Sequence, residues 1–456
     1  MRSNQLARAV VSTACIGLLS PVVEAGPPEI EAIQQEIAAM KQDYARRIQA
    51  LERRLAQAER EARDARQEAQ RANKEVDRMA TAPAGTPTES ANAFNPAVDL
   101  VLNGRYRAFS RPASENGIPG FSLGDESFKG DAGLSLDESE FGIAANIDDL
   151  FYGQFTASFA SDAGEDSVSV EEAFIQTTAL PAGLGLTIGR FFSGIGYLNG
   201  FHSHADDFAD RPLPYRAMLG NGYNDDGVEL RWLAPTDLYL ELGADLFAGD
   251  HYPAGGRGHD GLGSWTLFSH IGGDWDESNS WKAGLSYLQA QARDRASGDP
   301  DAPDLFSGET RLWIADAVWK WAPNGNPYRH NLRLQGEYFH QDQDGDYRFG
   351  DGAPLAYRGH QNGWYLQGAY QFVPRWRLGL RVAGLHADDP GAAFAGTDLD
   401  PLGRDPRHYS VMLDWSHSEF SRLRLQYNRD DSRPHSDDQF LIQYIFALGA
   451  HGAHAF

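Results

Sequence analysis

Between Asn199 and Pro212 the chain reads Asn-Gly-Phe-His-Ser-His-Ala-Asp-Asp-Phe-Ala-Asp-Arg-Pro, so His202, His204, Asp206, Asp207 and Asp210 fall within nine residues. Imidazole and carboxylate together form the ligand set of zinc and similar borderline divalent cations. The segment has neither the 3.6-residue period of a helix nor the alternation of a strand, which makes it a loop. An ordinary polar loop is the bland alternative. A His/Asp run becomes a site only where neighbouring elements hold it in the path of an ion or solute, so those elements decide the matter.

The first block of elements is amino-terminal. Residues 1–25 carry Arg2 and Arg8, an apolar stretch from Ala9 to Val23 and a small-residue end at Val23-Glu24-Ala25, the pattern of a secretory signal cleaved after Ala25. Cys15 is the only cysteine and lies inside that segment, so the mature chain forms no disulfide. Over residues 29–79 apolar positions recur in threes and fours, from Ile30, Ile33, Ile37, Met40 and Tyr44 through Ile48, Leu51, Leu55 and a run of alanines to Val76 and Met79. This is a coiled-coil seam, with a stutter at Met40, Tyr44 and Ile48. Isoleucine in its early part favours more than two chains. The solvated faces hold eleven acidic and eleven basic residues, which leaves the helix neutral. Residues 80–97, rich in Pro, Ala and Thr, read as a linker.

From Val98 onward the period is two. Leu238, Leu240, Leu242, Ala244 and Leu246 alternate with Tyr239, Glu241, Gly243 and Asp245, and the same pattern recurs along the chain. After the signal no stretch reaches the eighteen apolar residues of a membrane helix. Segments of about ten residues, apolar on one face and polar on the other, are what a transmembrane β-barrel needs. Sixteen antiparallel strands are expected, near 98–110, 134–147, 151–160, 168–179, 184–192, 226–234, 237–248, 264–274, 281–291, 310–321, 330–341, 361–372, 376–387, 407–417, 421–430 and 438–449. Their connections alternate: 148–150, 180–183, 235–236 and 373–375 are short, whereas 111–133, 193–225 and 388–406 are long. Short periplasmic turns and long external loops have this asymmetry. Trp232, Trp275, Trp281, Trp321, Trp376 and Trp415 stand beside short turns, as an inner aromatic girdle would. The fold class is therefore an all-β transmembrane barrel over 98–456, preceded by an α-helical coiled coil.

Two motifs carry a resemblance to a known family. Glu172-Ala-Phe-Ile-Gln-Thr-Thr178, a turn and Leu186-Thr-Ile-Gly-Arg-Phe-Phe192 resemble the Glu-Ala-Tyr strand and Gly-Arg-Phe strand that lead into a porin's constriction loop. The alternating Phe440, Ile442, Tyr444, Phe446 and Leu448, with the terminal Phe456, are similar to a barrel-assembly signal, although Ala450, Gly452 and His454 depart from it. The chain thus resembles Gram-negative outer-membrane porins of the phosphate-selective and dicarboxylate-type trimeric group, some of which carry a periplasmic coiled coil. The resemblance implies a homotrimer in outer-membrane lipid and lipopolysaccharide, with loop 193–225 folded back into the pore.

On that placement the His/Asp run lines the constriction, and Arg105, Arg107, Arg231, Arg333, Arg377, Arg381 and Arg424 face it from the wall as pore-lining residues. An acidic loop opposite a basic wall sets up a transverse field. Each arginine can instead pair with Glu229, Glu241 or Glu337 on a neighbouring strand. The formal net charge of −24 lies wholly in 98–456, which favours cations and disfavours phosphate. Gln341–Asp346 reads as an external loop, and its Asp342-x-Asp344-Gly-Asp346 lacks the glutamate of a calcium loop and suits a solvated loop or a divalent-ion bridge to lipopolysaccharide. The expected function is a channel for passive uptake of small hydrophilic solutes, cation-preferring, with zinc as a transient ligand of His202, His204, Asp206, Asp207 and Asp210. No other cofactor, no catalysis and no nucleic-acid partner is expected. The competing reading is a structural anchor whose coil tethers the membrane to the periplasm or cell wall.

Overall fold

In Asn331–Arg348 the odd residues Arg333, Gln335, Glu337, Phe339, Gln341 and Gln343 turn to one side and Leu334 and Tyr338 to the other, where they stay exposed. Repeated along the chain, this period builds a sheet with one polar-rich and one apolar face. The computed structural model describes residues 96–449, apart from 113–116, 125–126, 128–129, 163–164, 257–260, 299–302 and 351. The signal segment, the coiled coil, nearly all of the linker and the terminal Phe456 lie outside the described residues.

Sixteen antiparallel strands make the wall: β1 Ala97–Phe109, β2 Gly133–Asn146, β3 Phe151–Asp162, β4 Glu165–Thr177, β5 Leu184–Phe192, β6 Asn224–Leu233, β7 Tyr239–Phe247, β8 Ser264–Asp276, β9 Asn279–Ser297, β10 Asp304–Trp321, β11 Asn331–Arg348, β12 Leu355–Val373, β13 Trp376–Ala387, β14 Arg407–Ser418, β15 Ser421–Asp430 and β16 Asp437–Gly449. Each pairs with the next. β1 also pairs with β16, from Asp99 opposite Gly449 to Phe109 opposite Gln439, which closes the barrel and leaves none of these sixteen strands as an edge.

The outer face carries exposed Leu366, Leu378, Leu380, Val411 and Leu425. Aromatic clusters bound this belt. Trp265, Tyr287 and Trp313 pack in series with tilted rings at 5.1 and 4.7 Å towards one rim, and the pairs Trp275–Trp281 and Trp376–Trp415 lie at 6.4 and 6.3 Å towards the short-turn rim. Along β10, Trp313 and Trp321 are separated by roughly 26 Å of strand at ~3.3 Å per residue. An apolar band about 25 Å tall between aromatic girdles is the surface of a barrel that spans a bilayer.

Two sequence expectations need correction. β9 to β12 run well past the aromatic girdle, so Gln341–Asp346, expected as a loop, is strand. Its outward Asp342 and Asp344 pair across the strands with His360 and Arg358, and outside the lipid such polar faces keep a strand stable without apolar alternation. The long-loop pattern also holds only in part: β3 ends at Asp162 and β4 begins at Glu165, while the connections at 298–303 and 431–436 are no longer than some turns of the opposite rim.

The lumen differs most from expectation. Rather than an open aqueous duct, its middle holds an apolar core. Ile195, Leu198, Leu213, Tyr215, Met218 and Tyr223 of the loop pack against Leu288, Leu312, Ile314, Phe339 and Leu385 of the wall. Ile118, Phe121 and Leu123 from the first external loop join them. Above, Phe394 and Leu399 of the loop 388–406 cover Phe306, Tyr347 and Tyr357. The inward parity of β9 and β10 is apolar at Leu288, Ala290, Leu312, Ile314 and Val318, and such a wall is stable only if covered.

Candidate functional site

The segment 193–223 enters the lumen because its first residues allow a sharp turn against the wall. Gly196 has φ +64°, and a Cβ there would stand 2.5 Å from the Glu337 carboxylate and 2.8 Å from the Tyr215 hydroxyl. At Gly194 a Cβ would collide with the Phe268 ring at 2.5 Å. Only glycine lets the backbone approach this closely. Asn199 then fastens both ends of the excursion, donating to the carbonyls of Ser193 and Tyr223 at 2.8 and 2.9 Å and accepting from the Tyr223 amide at 2.6 Å. Glu337 of β11 anchors the middle. It accepts from the Leu198 amide at 3.0 Å, the Tyr215 hydroxyl at 3.0 Å and the Tyr365 hydroxyl at 2.6 Å. The short helix α1, Leu213–Met218, packs on β12 and β13 with every residue buried.

The five residues of the His/Asp run part into two groups. Asp206 pairs with Arg211 of the same loop at 2.7 Å. Asp207 takes Arg333 of β11 and Arg377 of β13, each at 2.8 Å. Asp210 takes Arg381 of β13 at 2.5 Å, and also accepts from Gln426 and Asn428 of β15 at 2.5 and 3.2 Å. Burial alone would raise all three carboxyl groups. For Asp207 and Asp210 the adjacent guanidinium groups outweigh burial and hold them well below the usual carboxylate range. For Asp206 burial wins, helped by the charge of Asp207, and the group is pushed up to about 6 despite Arg211.

His202 and His204 turn the other way, to β2 and β4. His202 Nδ1 lies 2.9 Å from Glu171 and 3.1 Å from Glu140, and its Nε2 lies 3.0 Å from Glu172. His204 Nδ1 lies 2.7 Å from the other oxygen of Glu140, and the two imidazoles stack at 5.8 Å. Burial disfavours a charged His202, but the surrounding glutamates, Glu140 foremost, raise it well above its ordinary value. The structure therefore does not bring the three aspartates to the two histidines.

The glutamates reach the lumen through two β-bulges. Thr156 of β3 faces Glu172 and Ala157 faces Val170, so Glu171 is the extra residue that lets two consecutive side chains point inward. β2 likewise carries one residue more than either neighbour between Leu136 and Glu140, and this brings Glu138 against Glu171 and Ser203 beside Glu140. Bulges re-aim side chains in this way. Sequence reasoning missed Glu138, Glu140 and Glu171; two adjacent glutamates inside an alternating strand were the available signal.

The seven expected pore arginines all face inward, with different partners. Arg333, Arg377 and Arg381 hold the loop aspartates, and Arg424 holds Asp414 at 2.8 Å and the carbonyl of Asp206 at 2.7 Å. Arg105 and Arg107 both pair with Asp137 of β2. Arg231 pairs with Glu229 at 2.8 Å and Glu241 at 3.5 Å, and its side chain is 37% exposed. Asp207 and Asp210 of the loop thus face a basic wall, and they are ion-paired with the arginines they meet. Further charges line the wall itself, with Glu138, Glu140, Glu171 and Glu172 on β2 and β4 and the partly exposed Lys282, Lys320 and Arg231 on β9, β10 and β6.

No family model matches the chain. A protein of Aquifex aeolicus, strain VF5, itself uncharacterized, is 31% identical over 395 residues, covering 80% of this chain and 81% of that protein. Among solved structures, OprB of Pseudomonas putida is 14% identical with a TM-score of 0.49, over 80% of this chain and 96% of that one. A loop-deletion mutant of the outer-membrane protein OmpT of Vibrio cholerae is 12% identical with a TM-score of 0.48, over 77% and 99%. OmpF of Salmonella typhi, solved with daunomycin, is 13% identical with a TM-score of 0.46, over 78% and 99%.

Proposed function

We propose that this chain, which belongs to the same family as the uncharacterized protein of Aquifex aeolicus, forms an outer-membrane channel for small hydrophilic solutes. The observation that carries the reading is the fastening of segment 193–223 across the lumen of a closed, lipid-compatible barrel. It is held by Asp207 and Asp210 on one side and His202 and His204 on the other. A charge-anchored loop at mid-lumen sets the size and sign of what passes. Cation preference is part of the proposal. Its support is the formal charge of −24 and the wall glutamates Glu140, Glu171 and Glu172, which contact the two imidazoles of the loop. The packed lumen makes passage dependent on a shift of the loop, so unitary currents are expected to be small.

The test is current through a planar bilayer holding the purified full-length protein in a salt gradient. Discrete steps with a reversal potential on the cation side are expected. Folded protein that inserts without any steps would leave the barrel as a structural anchor for the coiled coil. A homotrimer built on the isoleucine-rich seam of 29–79 belongs to the same proposal and is checked by light scattering in detergent.

A further inference from the structure

The glutamate–histidine cluster has the arrangement of a metal site. Glu140, Glu171 and His202 each offer one ligand atom, and those atoms all lie within 4.8 Å of one another. In a tetrahedral zinc site with bonds of about 2.0–2.1 Å, ligand atoms stand roughly 3.3 Å apart. His202 Nδ1 is 2.9 Å from Glu171 Oε2 and 3.1 Å from Glu140 Oε2, so a shift of a few tenths of an ångström would admit the ion. One nitrogen thus faces two carboxylate oxygens. A single N–H points fully at only one of them, whereas a cation between the three satisfies all.

The second half of the argument is the outer contacts. Ligating histidines commonly donate their other ring nitrogen to a carboxylate, which fixes the tautomer and the ring plane. Here Nε2 of His202 meets Glu172 at 3.0 Å, which leaves Nδ1 to ligate. His204 meets the oxygen of Glu140 that His202 does not use, at 2.7 Å, and so orients that ligand. The bulges in β2 and β4 build the site from rigid strands, and the loop adds one imidazole. Charge points the same way. Three glutamates contact two imidazoles here, and a buried excess of carboxylate calls for a cation.

We propose that Glu140, Glu171 and His202 bind a divalent cation of the zinc class at mid-lumen, His202 through Nδ1, with Glu172 and His204 as positioning residues. The proposal rests on the channel reading only in making the ion a permeant or regulating species; the site itself stands apart from conduction. Its ligands differ from the run expected from sequence, because Asp206, Asp207 and Asp210 are engaged by arginines.

The experiment uses the full-length protein folded in detergent, with zinc chloride titrated calorimetrically and cobalt as a spectroscopic substitute. One zinc per chain is expected, with affinity lowered at least tenfold in E171Q and in H202Q. E172Q is expected to lower it by about 10–100-fold and to shift the cobalt absorption bands, which a merely structural role would leave alone. D344N, at the exposed outward pair with Arg358, should leave zinc affinity unchanged. Folding of each variant is checked by circular dichroism. If a variant does not fold, anomalous scattering from zinc-soaked wild-type crystals decides, with a peak beside His202 Nδ1 supporting the site. Wild-type zinc affinity in the folded E140Q/E171Q double variant, or no zinc bound at millimolar concentration, would overturn it and leave an imidazolium held by ion pairs. Zinc binding by a barrel that never conducts would keep the site and sink the channel.

Discussion

His202–His204 and Asp206–Asp210 are separated by one residue, yet they sit in opposite electrostatic surroundings. The aspartates meet Arg333, Arg377 and Arg381 of β11 and β13, and Asp207 and Asp210 each have a guanidinium partner there. The histidines meet glutamates of β2 and β4, and the count of charges does not balance. A loop crossing a barrel touches both walls, so neighbours in sequence can be far apart in chemistry. The aspartate half behaves as a latch. The histidine half has surplus carboxylates, which gives it the capacity to take up a cation.

Breaking the latch gives the largest expected effect. Removing one partner of a buried ion pair typically costs about 3–5 kcal/mol, because the remaining charge has no compensation. D207A strips both Arg333 and Arg377 of their loop partner, although Arg377 keeps Asp414. The variant is expected to unfold at markedly lower denaturant and to pass larger currents, since the loop is freed on its arginine side. If current and stability both match the wild type, the aspartate half is no latch, and the contrast between the two halves fails.

A smaller, pH-dependent effect separates aspartates within the latch itself. Asp207 and Asp210 are held below the ordinary carboxylate range, so their contribution is present above about pH 4 and is lost as pH falls further. Asp206 is raised to about 6. Its contribution has the opposite sign: it is fully present below about pH 4 and is lost as pH rises through 6. Denaturant midpoints measured from pH 3 to 7 should therefore show the wild type losing stability between pH 4 and 6 relative to D206N, whose side chain cannot ionise. Parallel profiles for the two proteins would mean that Asp206 is not buried as described.

The wall was legible in the sequence and its interior was not. Parity places each strand residue in or out, and that rule recovers the sixteen strands and the inward direction of Arg333, Arg377 and Arg424. It fails where a bulge adds a residue, as at Glu171, because two consecutive side chains then share a face. It also fails beyond the girdle, where outward Asp342 and Asp344 no longer alternate with apolar partners. Which wall a loop residue meets depends on contacts between positions as far apart as Asp206 and Arg424, and local pattern does not reach that far. One cue to the packed lumen was present in the sequence: Leu288, Leu312, Ile314 and Phe339 have inward parity but are too apolar for a water-filled duct.

The smallest expected effect comes from an ion pair with better geometry than the latch and poorer surroundings. Arg190 of β5 meets Asp226 of β6 through two parallel bonds, Nε to Oδ1 at 2.8 Å and Nη2 to Oδ2 at 2.9 Å. Asp226 is 53% exposed, whereas Asp207 is 2% exposed. Water and salt screen the exposed pair, and pairs of that kind contribute about 0.2–1 kcal/mol. D226N should therefore shift the denaturant midpoint far less than D207A, and its small deficit should fade further as salt is raised from 0.1 to 1 M, where the screening length falls from ~10 to ~3 Å. The D207A deficit should persist in the same salt series. Equal losses for the two variants would show that geometry outweighs burial here, and the loop's hold on the lumen would then have to come from its apolar packing and from Glu337 rather than from Asp207.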